Sequence, residues 1–414
     1  MRKVLKGAAV VVMVLVAAAG GFTAYVAIRG IPSYTHPAIQ FHVESTPQAV
    51  AHGRKLVRLL CMDCHFDPAT RALTGKRMRD VPAKFGTIVA PNITQDSVHG
   101  IGSWSDGELA FLLRTGIGRD GRYEPPYMIK LPNAADDDIA AIIAFLRSDD
   151  AMVKPSSIAV QSSEPSFLVK MLCYFAFKPL PYSPQQIKAP AKANAVAYGR
   201  YLANGLLGCY DCHSADFRTN DPLQPEHSAH FYGGGNVFRS ADGSTIQSPN
   251  ITADATTGIG SWSEEQFVNA LRRGFRPDRL PVRYPMPRYV ELDDDESTAI
   301  FAYLRTVPIL VGPHRHQEPT MTLSEPVGQQ LYEKYGCNGC HGKAGDGPID
   351  LRRATEKYTT DEKLMAFLKR PSNIDPGNQM PAFEGVVAED EYDSLIAHIR
   401  SLQIDNEQRP GPSH

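Results

Sequence analysis

The chain has 414 residues, with 43 Lys and Arg against 45 Asp and Glu and a formal net charge of −2. That balance supplies no field for nucleic acid or for a strongly acidic partner. The length allows two to four ordinary domains, and seven cysteines in 414 residues are too dilute for a disulfide scaffold.

Arg2, Lys3 and Lys6 precede an uncharged run from Gly7 to Ile28, closed by Arg29. The run is long enough to cross a bilayer as a helix, and its basic flank keeps the amino terminus cytoplasmic and exports the rest. A cleaved signal peptide, with Ala17-Ala18-Ala19 as the cleavage signal, is the rival. Signal peptides usually carry an apolar region of about 7–15 residues, so residues 1–30 are read as an uncleaved anchor. Both readings place the remainder in the bacterial periplasm.

Thr46-Pro47 marks a helix start, with Thr46 as N-cap and Pro47 at the first helical position. This helix runs into Cys61-Met62-Asp63-Cys64-His65. The same pattern returns as Cys209-Tyr210-Asp211-Cys212-His213 and as Cys337-Asn338-Gly339-Cys340-His341. Cys-x-x-Cys-His is the attachment signature of c-type haem. Its two thiols add across the vinyl groups, and the adjacent imidazole becomes the proximal iron ligand. Zinc sites would need a second ligand pair at close spacing, and none of the three motifs has one. A thioredoxin-like motif would not carry His after the second Cys three times. Three covalent haems follow, on Cys61, Cys64 and His65, on Cys209, Cys212 and His213, and on Cys337, Cys340 and His341.

An internal repeat relates the first two motif regions. Pro91-Asn92-Ile93-Thr94 returns 158 residues on as Pro249-Asn250-Ile251-Thr252, and Gly100-Ile101-Gly102-Ser103-Trp104-Ser105 as Gly258-Ile259-Gly260-Ser261-Trp262-Ser263. The same offset carries Met128 onto Met286, and iron held between His and Met is the arrangement of electron-transfer cytochromes. Both are therefore expected as axial ligands. After each comes an acidic helix start with one apolar face: Asp136–Asp138 before Ile139, Ile142, Ile143 and Leu146, and Asp293–Glu296 before Ile300, Tyr303, Leu304 and Val307. Gly53 and Gly199, in the first helices, would let these last helices cross closely. Copy two carries about ten extra residues, with His227 and His230, which read as surface-loop histidines rather than ligands.

Between the copies, Phe167 to Phe177 is apolar but too short to span a bilayer. It is either a linker helix packed on the haem domains or a contact with membrane or partner, and Cys173 within it reads as a buried thiol. The last region begins with a helix over Val327–Tyr332. Met380, in a Pro- and Gly-rich loop, is chosen as its axial ligand over Met365, which sits in an amphipathic run. Tyr392, Leu395, Ile396 and Ile399 form the closing helix. The expected fold is all-α: three tandem class I cytochrome c domains at 46–150, 191–310 and 322–404, a linker at 151–190, and one N-terminal transmembrane helix.

With three haem motifs, the Pro-Asn-Ile-Thr and Gly-Ile-Gly-x-Trp-Ser repeats and the apolar linker, the chain resembles the tri-haem cytochrome subunits of membrane-bound periplasmic dehydrogenases. Quinoprotein alcohol dehydrogenase and the flavin-dependent gluconate and fructose dehydrogenases carry the best-known members. The likeness is specific over about residues 46–310, although copy one reads Met128-Ile129 where the family usually has Met-Pro. It implies a non-catalytic subunit that takes electrons from a quinoprotein, flavin or molybdenum dehydrogenase and passes them to ubiquinone or a terminal oxidase. The alternative is a free-standing shuttle or oxidase-linked cytochrome. A multihaem peroxidase needs an open sixth iron position, which the register-matched methionines disfavour.

Overall fold

The computed structural model describes residues 2–78, 81–239, 245–312, 326–347, 349–352, 354–374 and 380–402. The expected limits of the third domain, 322 and 404, lie outside the described residues. Two compact units divide the chain, Met1–Lys188 and Ala189–His414. Both are rich in helix. Strands among the described residues are three short antiparallel pairs: Lys76–Arg77 with Val89–Ala90, Gly86–Thr87 with Glu164–Pro165, and Val237–Arg239 with Thr245–Gln247.

In the first unit, α1 (Arg2–Arg29) is the apolar helix, and its stretch Ala9–Arg29 is long and apolar enough to cross a membrane. Helix α2 (Pro47–Leu60) starts as the sequence predicts, with the Ala49 amide donating to Thr46 Oγ1 at 3.1 Å. Helix α3 (Asp106–Thr115) was not anticipated. Its signal was a Ser-x-x-Glu capping box: Glu108 N donates to Ser105 Oγ at 3.2 Å, and Ser105 N to Glu108 Oε2 at 2.7 Å. Helix α4 (Asp136–Leu146) buries Ile139, Ile142, Ile143 and Leu146 and packs across α2 at Gly53.

The apolar linker forms helix α5 (Phe167–Phe175), which packs on the protein along one face. Val169 and Cys173 are buried against Tyr123, with Tyr34, Phe85 and Tyr127 around them. On its other side, Tyr174 and Phe175 meet Phe22 of α1 at ring separations of 5.8 and 5.5 Å. The linker thus joins the first haem region to the carboxyl end of the apolar helix.

The second unit repeats the plan. Helix α6 (Ala195–Arg200) runs on through wider turns over Tyr201–Leu206 and crosses α8 (Asp294–Leu304) at Gly199. Between them α7 (Glu264–Val268) has the matching Ser263–Gln266 capping box. The apolar pattern in the sequence runs on to Val307. The helix instead ends at Leu304, and Val307 buries just beyond it. Equivalent polar ties hold the two copies: Arg114 donates to Asp136 at 2.6 Å as Arg272 does to Asp294, and Arg147 reaches the Ile101 carbonyl at 2.9 Å while Arg305 reaches that of Gly260 at 2.8 Å.

The remainder of the unit contains α9 (Val327–Lys334), α10 (Asp361–Lys369) and α11 (Tyr392–Ser401). Helices α9 and α11 pack around Leu331, Tyr332, Tyr392, Leu395 and Ile396.

Candidate haem centres

Each Cys-x-x-Cys-His sequence folds as one helical turn, over Met62–His65, Cys209–His213 and Cys337–His341. A helical turn puts residues three apart on one side, so each turn presents its two thiols together, with the imidazole following. No two cysteines are joined by a disulfide among the described residues. Burial pushes the Cys61, Cys209, Cys212 and Cys337 thiols up to about 12 and that of Cys340 to about 11, so all five stay protonated as thiols.

The histidines are oriented in one way three times. Nδ1 of His65 lies 2.8 Å from the Pro91 carbonyl, Nδ1 of His213 2.9 Å from that of Pro249, and Nδ1 of His341 2.7 Å from that of Ile349. A carbonyl can only accept, so Nδ1 carries the proton and Nε2 presents its lone pair. Burial lowers the pKa of all three imidazoles, partly offset by these same backbone bonds. A neutral imidazole with a fixed tautomer is what an iron ligand must be. The donor set therefore fits c-type haem at all three turns. By contrast, no group of three His, Cys, Asp or Glu converges as a bare metal-ion site among the described residues.

The repeated Pro-Asn-Ile-Thr now has a physical role that sequence reasoning missed. Its proline carbonyl aims the imidazole of the Cys-x-x-Cys-His turn, and its asparagine ties down the segment that bears that carbonyl. Asn92 Nδ2 donates to the carbonyls of Ser156 and Ile158 at 2.9 and 3.1 Å while its Oδ1 accepts from Thr94 N at 2.9 Å. Asn250 does the same with the Leu310 carbonyl and Thr252 N. The available signal was an identical four-residue run downstream of two haem motifs.

A family model described as cytochrome c oxidase, cbb3-type, subunit III matches residues 325–399. The cytochrome c subunit of a quinone-type alcohol dehydrogenase from Gluconobacter oxydans is 27% identical over 396 residues, covering 87% of this chain and 80% of its own length. The fructose dehydrogenase cytochrome subunit of Gluconobacter japonicus is 26% identical, and the match covers 65% of this chain and 59% of that one. A dihaem c-type cytochrome of Cereibacter sphaeroides is 31% identical over 263 residues, 60% of this chain and 82% of its own. The chain belongs to the c-type cytochromes.

In this cytochrome the two register-matched methionines lie in equivalent turns. Met128 N donates to the Pro125 carbonyl at 3.1 Å and Met286 N to that of Arg283 at 2.9 Å, and both side chains are half-buried. Two residues on stands a half-buried basic side chain in each copy, a second feature missed from sequence. Lys130 Nζ donates to the Pro125 and Met128 carbonyls, each at 2.8 Å, and burial lowers it to about 7. Arg288 is its counterpart, lowered by burial to about 10. Each packs over a left-handed glycine, Gly116 with φ 79° and Gly274 with φ 83°. Met380 and Met365 both border the third core. Among the remaining candidates, His230 has both ring nitrogens at hydrogen-bond distance from backbone carbonyls, of Gly234 and Val311, which suits a loop-fixing role. Cys173 is fully buried, as expected, and burial raises its thiol to about 11.

Proposed function

We propose that this cytochrome is a membrane-anchored periplasmic relay with three covalent haems, which takes electrons from a dehydrogenase and delivers them to a membrane quinone or a terminal oxidase. The observation that carries the reading is the threefold Cys-x-x-Cys-His turn whose imidazole is held through Nδ1 on a backbone carbonyl. Haem, when bound, supplies one-electron chemistry. The chain's own residues attach it through Cys61 and Cys64, Cys209 and Cys212, and Cys337 and Cys340, ligate it through His65, His213 and His341, and close the sixth positions with Met128, Met286 and Met380. Three tandem class I domains at 46–150, 191–310 and 322–404 organise these groups.

The names of the relatives support a dehydrogenase as donor. The contact of Phe22 and Tyr25 in α1 with Tyr174 in α5 supports a first domain seated beside the bilayer, where a quinone is at hand. The oxidase-type family match over 325–399 favours a second reading, in which the third domain serves an oxidase. Purification from native membranes separates them: a co-purifying dehydrogenase supports the first, an oxidase without one the second.

Intact-mass analysis of the matured protein is expected to exceed the polypeptide by three haem units. Two units would show that one motif is a decoy. The ferric thioether-to-iron charge-transfer band is expected to lose about one third of its intensity in each of Met128→Ala, Met286→Ala and Met380→Ala, since each thioether serves one iron. An unchanged band in Met380→Ala would transfer the ligand role to Met365.

A further inference from the structure

Helix α5 is apolar on nearly every side: Lys170 is the only charged residue from Phe167 to Phe177. A helix of that kind belongs between two apolar surroundings. One of them is protein, since Val169 and Cys173 are 1% and 0% exposed in the core that includes Tyr123. The opposite face is open. Phe167, Leu168 and Phe175 are 42%, 44% and 68% exposed, and at about 3.6 residues per turn they fall on one stripe with Met171 among them.

The depth of α5 against α1 tells what covers that stripe. Phe22 lies about two turns before Arg29, roughly 10 Å inside the carboxyl end of α1, within the stretch Ala9–Arg29 that is long and apolar enough to span. Phe175 meets Phe22 at 5.5 Å, and Tyr174 meets Phe22 and Tyr25 at 5.8 and 5.9 Å. A span that seats Phe22 in the bilayer therefore brings the end of α5 to the bilayer surface. Tyr25 and Tyr174, in contact there, are of the residue type that collects at the membrane–water boundary. The chain leaving α1 is also tied to the same core. Ile31 and Tyr34 pack against it, and Tyr34 N donates to the Gly121 carbonyl at 2.7 Å.

We propose that α5 is a second membrane contact, lying in the bilayer surface on the exported side with Phe167, Leu168 and Phe175 among the lipid acyl chains. Helices in this position bury their apolar face roughly 5–10 Å deep. Here the other face is occupied by the first haem region instead of water. Tyr127, the neighbour of Met128, packs on the core that holds Val169 and Cys173, so the Met128 loop stands at a fixed height over the membrane. The proposal rests on reading α1 as a retained anchor, and it adds the residues through which the first domain touches lipid.

The test is photolabelling of the full-length, haem-loaded protein in its native membrane, doped with a phosphatidylcholine that carries a diazirine near the top of one acyl chain. Peptide mapping is expected to find lipid adducts on α1 and on Phe167, Leu168 and Phe175. Adducts on a retained α1 alone overturn the proposal and leave the stripe to a protein partner. Phe167→Asp combined with Leu168→Asp changes exposed side chains in the first turn of α5, where acidic residues suit a helix. Its α5 adducts are expected to vanish while those on α1 and the haem count persist, and undiminished α5 labelling overturns the proposal. Where that variant fails to mature, the labelling of the unaltered protein decides by itself. Intact mass is read alongside: a chain that begins beyond Arg29 strikes the anchored reading, and the proposal with it, a failure distinct from adducts confined to a retained α1.

Discussion

Gly199→Ala is expected to cost roughly 3 kcal/mol or more and to lower the melting temperature of the second unit by about 6–12 °C. The added carbon would stand 1.8 Å from the Ala299 carbonyl oxygen and 2.9 Å from Ile300 N. Both are backbone atoms of α8, so no side chain can swing aside to make room. The helices must separate, which strips packing from Ile300, Tyr303 and Leu304. Gly53→Ala repeats the experiment in the first unit, at 1.8 Å from the Ala141 carbonyl oxygen and 2.9 Å from Phe145 Cβ. Calorimetry of the two variants measures both. A melting temperature within about 2 °C of the parent would mean that the crossing is looser than the structure has it.

Replacing His341 by Ala is expected to stop transfer through the third centre while leaving its thioether attachments intact. Turnover between the native donor and the membrane acceptor should fall by more than about a hundredfold. Loss of an outer-shell partner alone typically costs 10–100-fold, and this change removes the imidazole proposed as ligand, which the Ile349 carbonyl orients. The other two haems should remain reducible or oxidisable from one side only, which stopped-flow spectra at the α-band would resolve. Turnover at the parental rate would take the third domain off the path and end the serial relay.

The chemistry of the chain was open to sequence reading because covalent attachment is local. A thiol pair and an imidazole within five residues need no distant partner to be recognised, and three copies identify the cofactor. The duplication was equally plain, since a constant offset of 158 residues carries Pro91 to Pro249, Trp104 to Trp262 and Met128 to Met286. The glycines at 53 and 199 also told in advance where the terminal helices cross, and the structure brings the Ala141 and Ala299 backbones onto them.

Other features were decided only by the tertiary structure. The carbonyls that aim the imidazoles lie 26, 36 and 8 residues after their histidines, so no fixed spacing reveals them. Which residues of Phe167–Phe175 meet the rest of the protein depended on what folding brought to Val169 and Cys173 on one side and to Tyr174 and Phe175 on the other. Nothing in the sequence singles out Lys130 and Arg288, whose partial desolvation comes from the residues that fold around them. The division follows from range. Bond-forming motifs and helix periodicity are set by neighbours along the chain, whereas desolvation and hydrogen-bond direction depend on groups that only folding brings together.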